Sequence, residues 1–173
     1  ETDAYHSGPG HYEVIGTDAD RVVDNVNKDG VTDEHTVSGK FTFTEADYGY
    51  DKPNAVKPFF WEKPEAGAYK TWGAENSAEP VDIRWVVDNT PGQATLTGFD
   101  AKRHVVIQFV ATYPDADGDG TADTPIPTGY TVTQYLPVVH PDDAGYNDVN
   151  MPVKFGIMDG DGDSATATLN VTI

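Results

Sequence analysis

The run from His104 to Thr112 limits the fold more than any other stretch of this chain. Most of its residues are β-branched or aromatic, and it is apolar on both faces: Val106 and Val110 flank Gln108 on one side, while Val105, Ile107 and Phe109 fall on the other. A strand covered on both faces belongs in the middle of a packed sheet. Around it lie half-buried runs of period two. Val37, Gly39, Phe41 and Phe43 oppose Ser38, Lys40, Thr42 and Thr44; Tyr130 to Leu136 and Val153 to Ile157 alternate; the last run, Thr166 to Ile173, turns Leu169, Val171 and Ile173 inward. Val81 to Val87 and Ala94 to Phe99 join through Asn89-Thr90-Pro91-Gly92, a turn sequence, and His11 to Ile15 is the first strand-like run. With about nine to eleven short strands and no helical period, the pattern predicts an all-β antiparallel sandwich.

A chain of 173 residues is long enough to bury one substantial core, so a single elaborated domain over 1–173 is expected. Cysteine is absent, which removes disulfides, thiolate nucleophiles and cysteine-ligated zinc. The 29 acidic and 11 basic residues give a formal charge of -18, which makes nucleic acid and anionic membrane poor partners and favours cations. No apolar run approaches the roughly 20 residues of a membrane span, and Glu1-Thr2-Asp3-Ala4 lacks the features of a signal peptide. The final residues still read as strand, so a segment of a longer chain is expected.

The acidity is concentrated in turns. Asp115-Ala116-Asp117-Gly118-Asp119-Gly120-Thr121-Ala122-Asp123 carries carboxylates at positions 1, 3, 5 and 9, glycine at 6 and the Thr121 carbonyl at 7, the donor spacing of a calcium loop. Two carboxylates about 6 Å apart repel by roughly 0.7 kcal/mol in water and about 3 kcal/mol at an effective dielectric of 20, so four of them need a cation to close together. Asn25, Asn27, Asp29, Val31 (through its carbonyl) and Asp33 repeat the spacing with two carboxamides in place of carboxylates, which predicts a weaker site. Asp159, Asp161 and Asp163 form a third cluster in a tight hairpin. Thr36 and Ile126 stand at the twelfth places, where an EF-hand has glutamate, so calcium loops between strands are expected rather than EF-hands.

Residues 48 to 80 differ from the rest. Tyr48, Tyr50, Phe59, Phe60, Trp61, Tyr69 and Trp72 are interleaved with Pro53, Pro58 and Pro64, which excludes a central strand. Two readings stand: aromatics capping the core under a long insertion, favoured for Phe59 and Phe60, or aromatics lining a ligand groove. Tyr48, Tyr50, Trp61 and Trp72 are the candidate ligand contacts.

Gly129-Tyr130-Thr131-Val132, the segment Leu136-Pro137-Val138-Val139-His140-Pro141-Asp142-Asp143 and the run from Phe155 through Asp159-Gly160-Asp161-Gly162-Asp163 to Ile173 resemble the repeat domains of giant RTX adhesins of bacterial surfaces. Val37 to Asp47 is similar, more weakly, to the opening strand of cadherin-like repeats in the same proteins. The resemblance implies an immunoglobulin- or cadherin-like sandwich stabilised by several calcium ions, type I secretion and an extracellular, cell-surface location in a biofilm-forming adhesin, next to neighbouring domains of the same chain. Such spacer repeats are shorter than this chain, so the extra material between 48 and 129 favours a ligand-binding module.

Three functional readings follow. A calcium-dependent adhesion module would bind a peptide or protein terminus on another cell through a calcium ion with an open coordination position, with a sugar stacked on Trp61, Trp72 or Trp85 as the carbohydrate alternative. A structural extender would use calcium for rigidity alone. An enzyme is disfavoured, because adjacent acids such as Asp142 and Asp143 point to opposite faces of an extended chain and nothing resembles a nucleophile elbow or a zinc helix. A monomer without membrane insertion is expected.

Overall fold

The computed structural model describes residues 12–13, 35–43, 45–73, 79–139 and 150–172. The candidate loop from Asn25 to Asp33, including Asn27, Asp29 and Val31, lies outside the described residues, as do Asp142 and Asp143.

The described chain is all β apart from a kinked 3-10 segment at Glu45–Asp51. A five-stranded antiparallel sheet places β8 (Val105–Thr112) at its centre. On one side of β8 lie β9 (Gly129–Gln134) and then the edge strand β2 (His35–Lys40); on the other lie β7 (Thr95–Phe99) and the edge strand β6 (Arg84–Asp88). A three-stranded sheet runs β12 (Ser164–Thr172), β11 (Asn150–Met158), β3 (Phe59–Trp61). A small sheet of two-residue strands, in the order β1 (Tyr12–Glu13), β10 (Val138–Val139), β4 (Lys70–Thr71), β5 (Val81–Asp82), completes the set.

Register follows the alternation. Phe109 lies opposite Leu96 and Val132, and Ile107 opposite Gly98 and Gln134, so Ile107, Phe109 and Ala111 share the face that meets the three-stranded sheet. That sheet contributes Phe59, Trp61, Met151, Val153 and Val171 to the same core. The Trp61 and Phe109 rings meet across the two layers at 5.9 Å, and Phe155 packs on Phe41 at 4.8 Å. Each large side chain removed from water in this way contributes about 1.5–3 kcal/mol. Outside the sandwich, the five-stranded sheet shows water a polar face in which Thr36 bonds Thr133 and Ser38 approaches Thr131.

Within the aromatic stretch, Phe59 to Trp61 form a strand of the sandwich. Phe59, Phe60 and Trp61 are all buried, and they pair with Ile157, Gly156 and Phe155. Three consecutive buried residues hide the period-two signal. Phe59 and Trp61 enter the core, while Phe60 lies over Gly156 on the opposite face and beneath the ammonium of Lys57, 4.1 Å from the ring centre. The proline exclusion of a central strand holds, since β3 is an edge.

Candidate metal centre

Two acidic groups converge. Asp115, Asp117 and Asp119 present carboxylate oxygens within 4.8 Å of one another, and so do Asp51, Asp159 and Asp161. Two oxygens on opposite sides of one calcium ion, each at about 2.4 Å, would stand about 4.8 Å apart, so both sets fit a single ion.

The first group sits on the loop between β8 and β9. Here glycine supplies left-handed backbone, Gly118 at φ 73° and Gly120 at φ 84°, which side chains with a Cβ rarely adopt. The Asp115 carboxylate accepts from the amides of Gly118 at 2.8 Å and Gly120 at 3.0 Å. Asp117 accepts from Asp119 N–H, and Asp119 from Thr121 N–H. Asp123 closes the base, its carboxylate accepting from Ala116 N–H at 2.7 Å and its own amide donating to Pro114 O at 2.8 Å. Asp123 is therefore not among the three converging carboxylates, and Thr121 stands at the loop surface.

The second group joins distant parts of the chain. Asp159 and Asp161 lie in the β11–β12 hairpin, closed by Asp159 N–H to Asp163 O at 3.0 Å, while Asp163 N–H donates back to the Asp159 carboxylate at 2.8 Å. Asp51 completes the trio from the end of the 3-10 segment, taking the place that Asp163 holds in the sequence pattern. Asn54 clamps the two segments. Its side-chain amide donates to Asp159 O at 3.0 Å across 105 positions, and its backbone amide donates to Met158 O at 2.9 Å. Its side-chain oxygen accepts from Val56 and Lys57 N–H. Hydrogen bonding to Asp161 pushes the Asp159 carboxyl above its ordinary range, which reflects two acids drawn together where a cation would replace the shared proton.

No family model, curated protein or solved structure matches the chain.

Among the candidate ligand aromatics, Tyr48 is 2% exposed, Trp61 1% and Trp72 6%. Burial, then Tyr113 and Asp47, push the Tyr48 phenol up to about 12, so it stays neutral. Trp61 spends its indole N–H on Ala94 O at 3.2 Å. Trp61 belongs to the sandwich core, Tyr48 lies in the 3-10 segment and Trp72 follows β4 of the small sheet; buried as they are, none offers a face to a ligand in this structure. Tyr50 is different: it is fully exposed, next in sequence to Asp51, and Val56, also exposed, lies beyond Asn54. Trp85, the sugar-stacking alternative, is also buried and packs against Phe109. Asp51 is one of several further acids, with Asp18, Asp20, Glu34, Glu45, Asp47, Asp142, Asp143 and Asp148, that the sequence leaves free to join a cluster or build another, and Asn54 is not selected by acid spacing at all, because their partners are remote in sequence. The described acidic clusters can hold metal ions.

Proposed function

We propose that this chain is a calcium-stapled β-sandwich module of an extracellular bacterial adhesin of the RTX type, with no catalytic role. The observation that carries the reading is the convergence of Asp51 with Asp159 and Asp161. An ion there would tie the aromatic segment after β2 to the β11–β12 hairpin, and a second at Asp115, Asp117 and Asp119 would brace the loop leaving the central strand. The ligand, a peptide or protein terminus on another cell, would meet the stapled end, where Tyr50 and Val56 stand exposed. Calcium outside the cell would then both rigidify the fold and present the surface.

A structural extender is the second reading, favoured by the burial of Tyr48, Trp61 and Trp72. Thermal-shift screening of peptides and sugars in calcium and in chelator separates the two. The adhesion reading expects a ligand-induced rise in melting temperature that vanishes with chelator and with Tyr50→Ala. A calcium-dependent melting temperature that no ligand moves leaves the extender.

A further inference from the structure

We propose that the outer edge of β12 is a strand-addition site that binds an extended, net-cationic segment of another polypeptide by main-chain hydrogen bonds; this rests on the ligand reading above and adds a binding mode and a surface distinct from Tyr50 and Val56.

The direction of the main-chain groups is fixed by β11. Met158 N–H donates to Pro58 O, Met158 O accepts from Asn54 N–H, and Lys154 O accepts from Glu62 N–H. Even-numbered residues of β11 therefore turn their peptide groups toward the β3 side. Because these groups alternate along a strand, Met151, Val153, Phe155 and Ile157 turn theirs toward β12, where their partners are Val171, Leu169, Ala167 and Ala165. The remaining residues of β12, Ser164, Thr166, Thr168, Asn170 and Thr172, aim N–H and C=O away from the sheet. Among the described residues, nothing in the sheet order lies beyond them. Donor and acceptor pairs thus recur about every 6.8 Å along the edge, a spacing that another extended main chain matches.

Natural edges are blunted by charge, proline, bulges or brevity. Among the described residues the other long edges are protected in this way. β6 carries Arg84 and Asp88, β2 ends in Lys40, and β3 is only three residues long, with its last residue, Trp61, bonded by the Asn89 side chain. β12 has none of these devices: it is nine residues long, uncharged, free of proline and in unbroken register with β11. Ala165 and Ala167, on its inward face, are exposed as well. On the facing sheet Val37, paired with the core residue Val132, is 37% exposed at the edge of β2. The small alanines at Ala165 and Ala167 leave space for apolar side chains of an added strand.

Charge selects the occupant. β12 starts at the hairpin of Asp159, Asp161 and Asp163, with Asp51 beside it, on a chain of net charge -18. A second copy would bring the same charge with it, whereas a segment with lysine or arginine near its end would complement the hairpin.

The test uses the whole chain in millimolar calcium and a fluorescein-labelled ten-residue peptide of alternating threonine and valine with lysines at both ends. Fluorescence anisotropy should show saturable binding that is lost when alternate peptide amides are N-methylated. Thr168→Pro removes an outward N–H and leaves the β11 ladder intact, so it should keep the parental melting curve and weaken binding by at least about tenfold. Thr166→Lys keeps every amide and places a gatekeeping charge on the edge, and it should weaken the cationic peptide similarly. Absence of binding, or full binding by a folded Thr168→Pro variant, overturns the proposal, as does a homodimer in sedimentation that Thr168→Pro dissolves. Peptides that bind through a surface sensitive to Tyr50→Ala but indifferent to Thr168→Pro would leave the adhesion reading standing and remove the strand-addition mode.

Discussion

The side chain of Asn89 completes a sheet edge by imitating a strand: its Oδ1 accepts from Trp61 N–H at 2.9 Å and its Nδ2 donates to Trp61 O at 3.2 Å. One carboxamide thereby satisfies both main-chain groups of Trp61 on that side and holds β3 against the β6–β7 turn, with the indole of Trp61 reaching Ala94 O beneath it.

Asn89→Ala should cost about 1–3 kcal/mol, since it leaves two part-buried main-chain groups unpaired. Asn89→Asp keeps the acceptor for Trp61 N–H but faces Trp61 O with a second acceptor, and it should be no better. Urea unfolding checks both, with a lower midpoint and an unchanged slope expected.

Asp100 organises the β7–β8 turn. One carboxylate oxygen accepts from Lys102 N–H at 2.9 Å and His104 N–H at 2.8 Å, and the other meets the His104 ring at 2.8 Å. Burial acts to raise its pKa, but the His104 and Lys102 hydrogen bonds outweigh it and hold the carboxyl below 3.8. A carboxyl lowered on folding contributes stability that is fully present above its unfolded pKa and is lost as pH falls through the folded value. Asp100→Asn should therefore destabilise at neutral pH and flatten the loss of stability below about pH 4, as read by denaturant midpoints across pH.

Gly156→Ala should destabilise by about 1–3 kcal/mol through overpacking. A Cβ there meets the Phe60 ring and comes within 2.8 Å of Ala165 O. Adding Phe60→Val should recover part of that loss, a non-additivity measurable in a double-mutant cycle, while the main-chain contact to Ala165 keeps the recovery incomplete.

The acidic loop gives a prediction of its own. Asp117→Ala removes one of three converging carboxylates while its only hydrogen bond of note, from Asp119 N–H, is long at 3.3 Å. Melting temperature in chelator should stay near the parental value, and the rise on adding calcium should shrink.

Much of the sandwich is legible in the sequence because its strands are half-buried and alternate. The central position of β8 follows from its two apolar faces, and the β11 and β12 runs from their inward Val153, Leu169 and Val171. Phe59 to Trp61 hides its strand character, since burial on both faces erases the period and the neighbouring prolines suggest a loop. The same ambiguity made Trp61 look available to a ligand: composition does not distinguish a core indole from a groove indole, and only the opposing layer, here Phe109 and Ala94, decides it. Acid spacing finds partners close in sequence, hence the Asp115 loop and the Asp159 hairpin. Asp51 and Asn54 reach the hairpin through the fold, and no local pattern marks them.

The most direct test of the calcium staple is isothermal titration calorimetry of calcium into the metal-stripped chain and into Asp51→Asn. An ion that binds only the folded state at a hundredfold excess over its dissociation constant stabilises by about 2.7 kcal/mol, so the sites should also register in melting curves. The account predicts that Asp51→Asn binds one ion fewer than the parent, or binds that ion far more weakly, while the other sites keep their affinities. Equal stoichiometry and affinity in the two proteins, or no calcium binding by the parent, would contradict it.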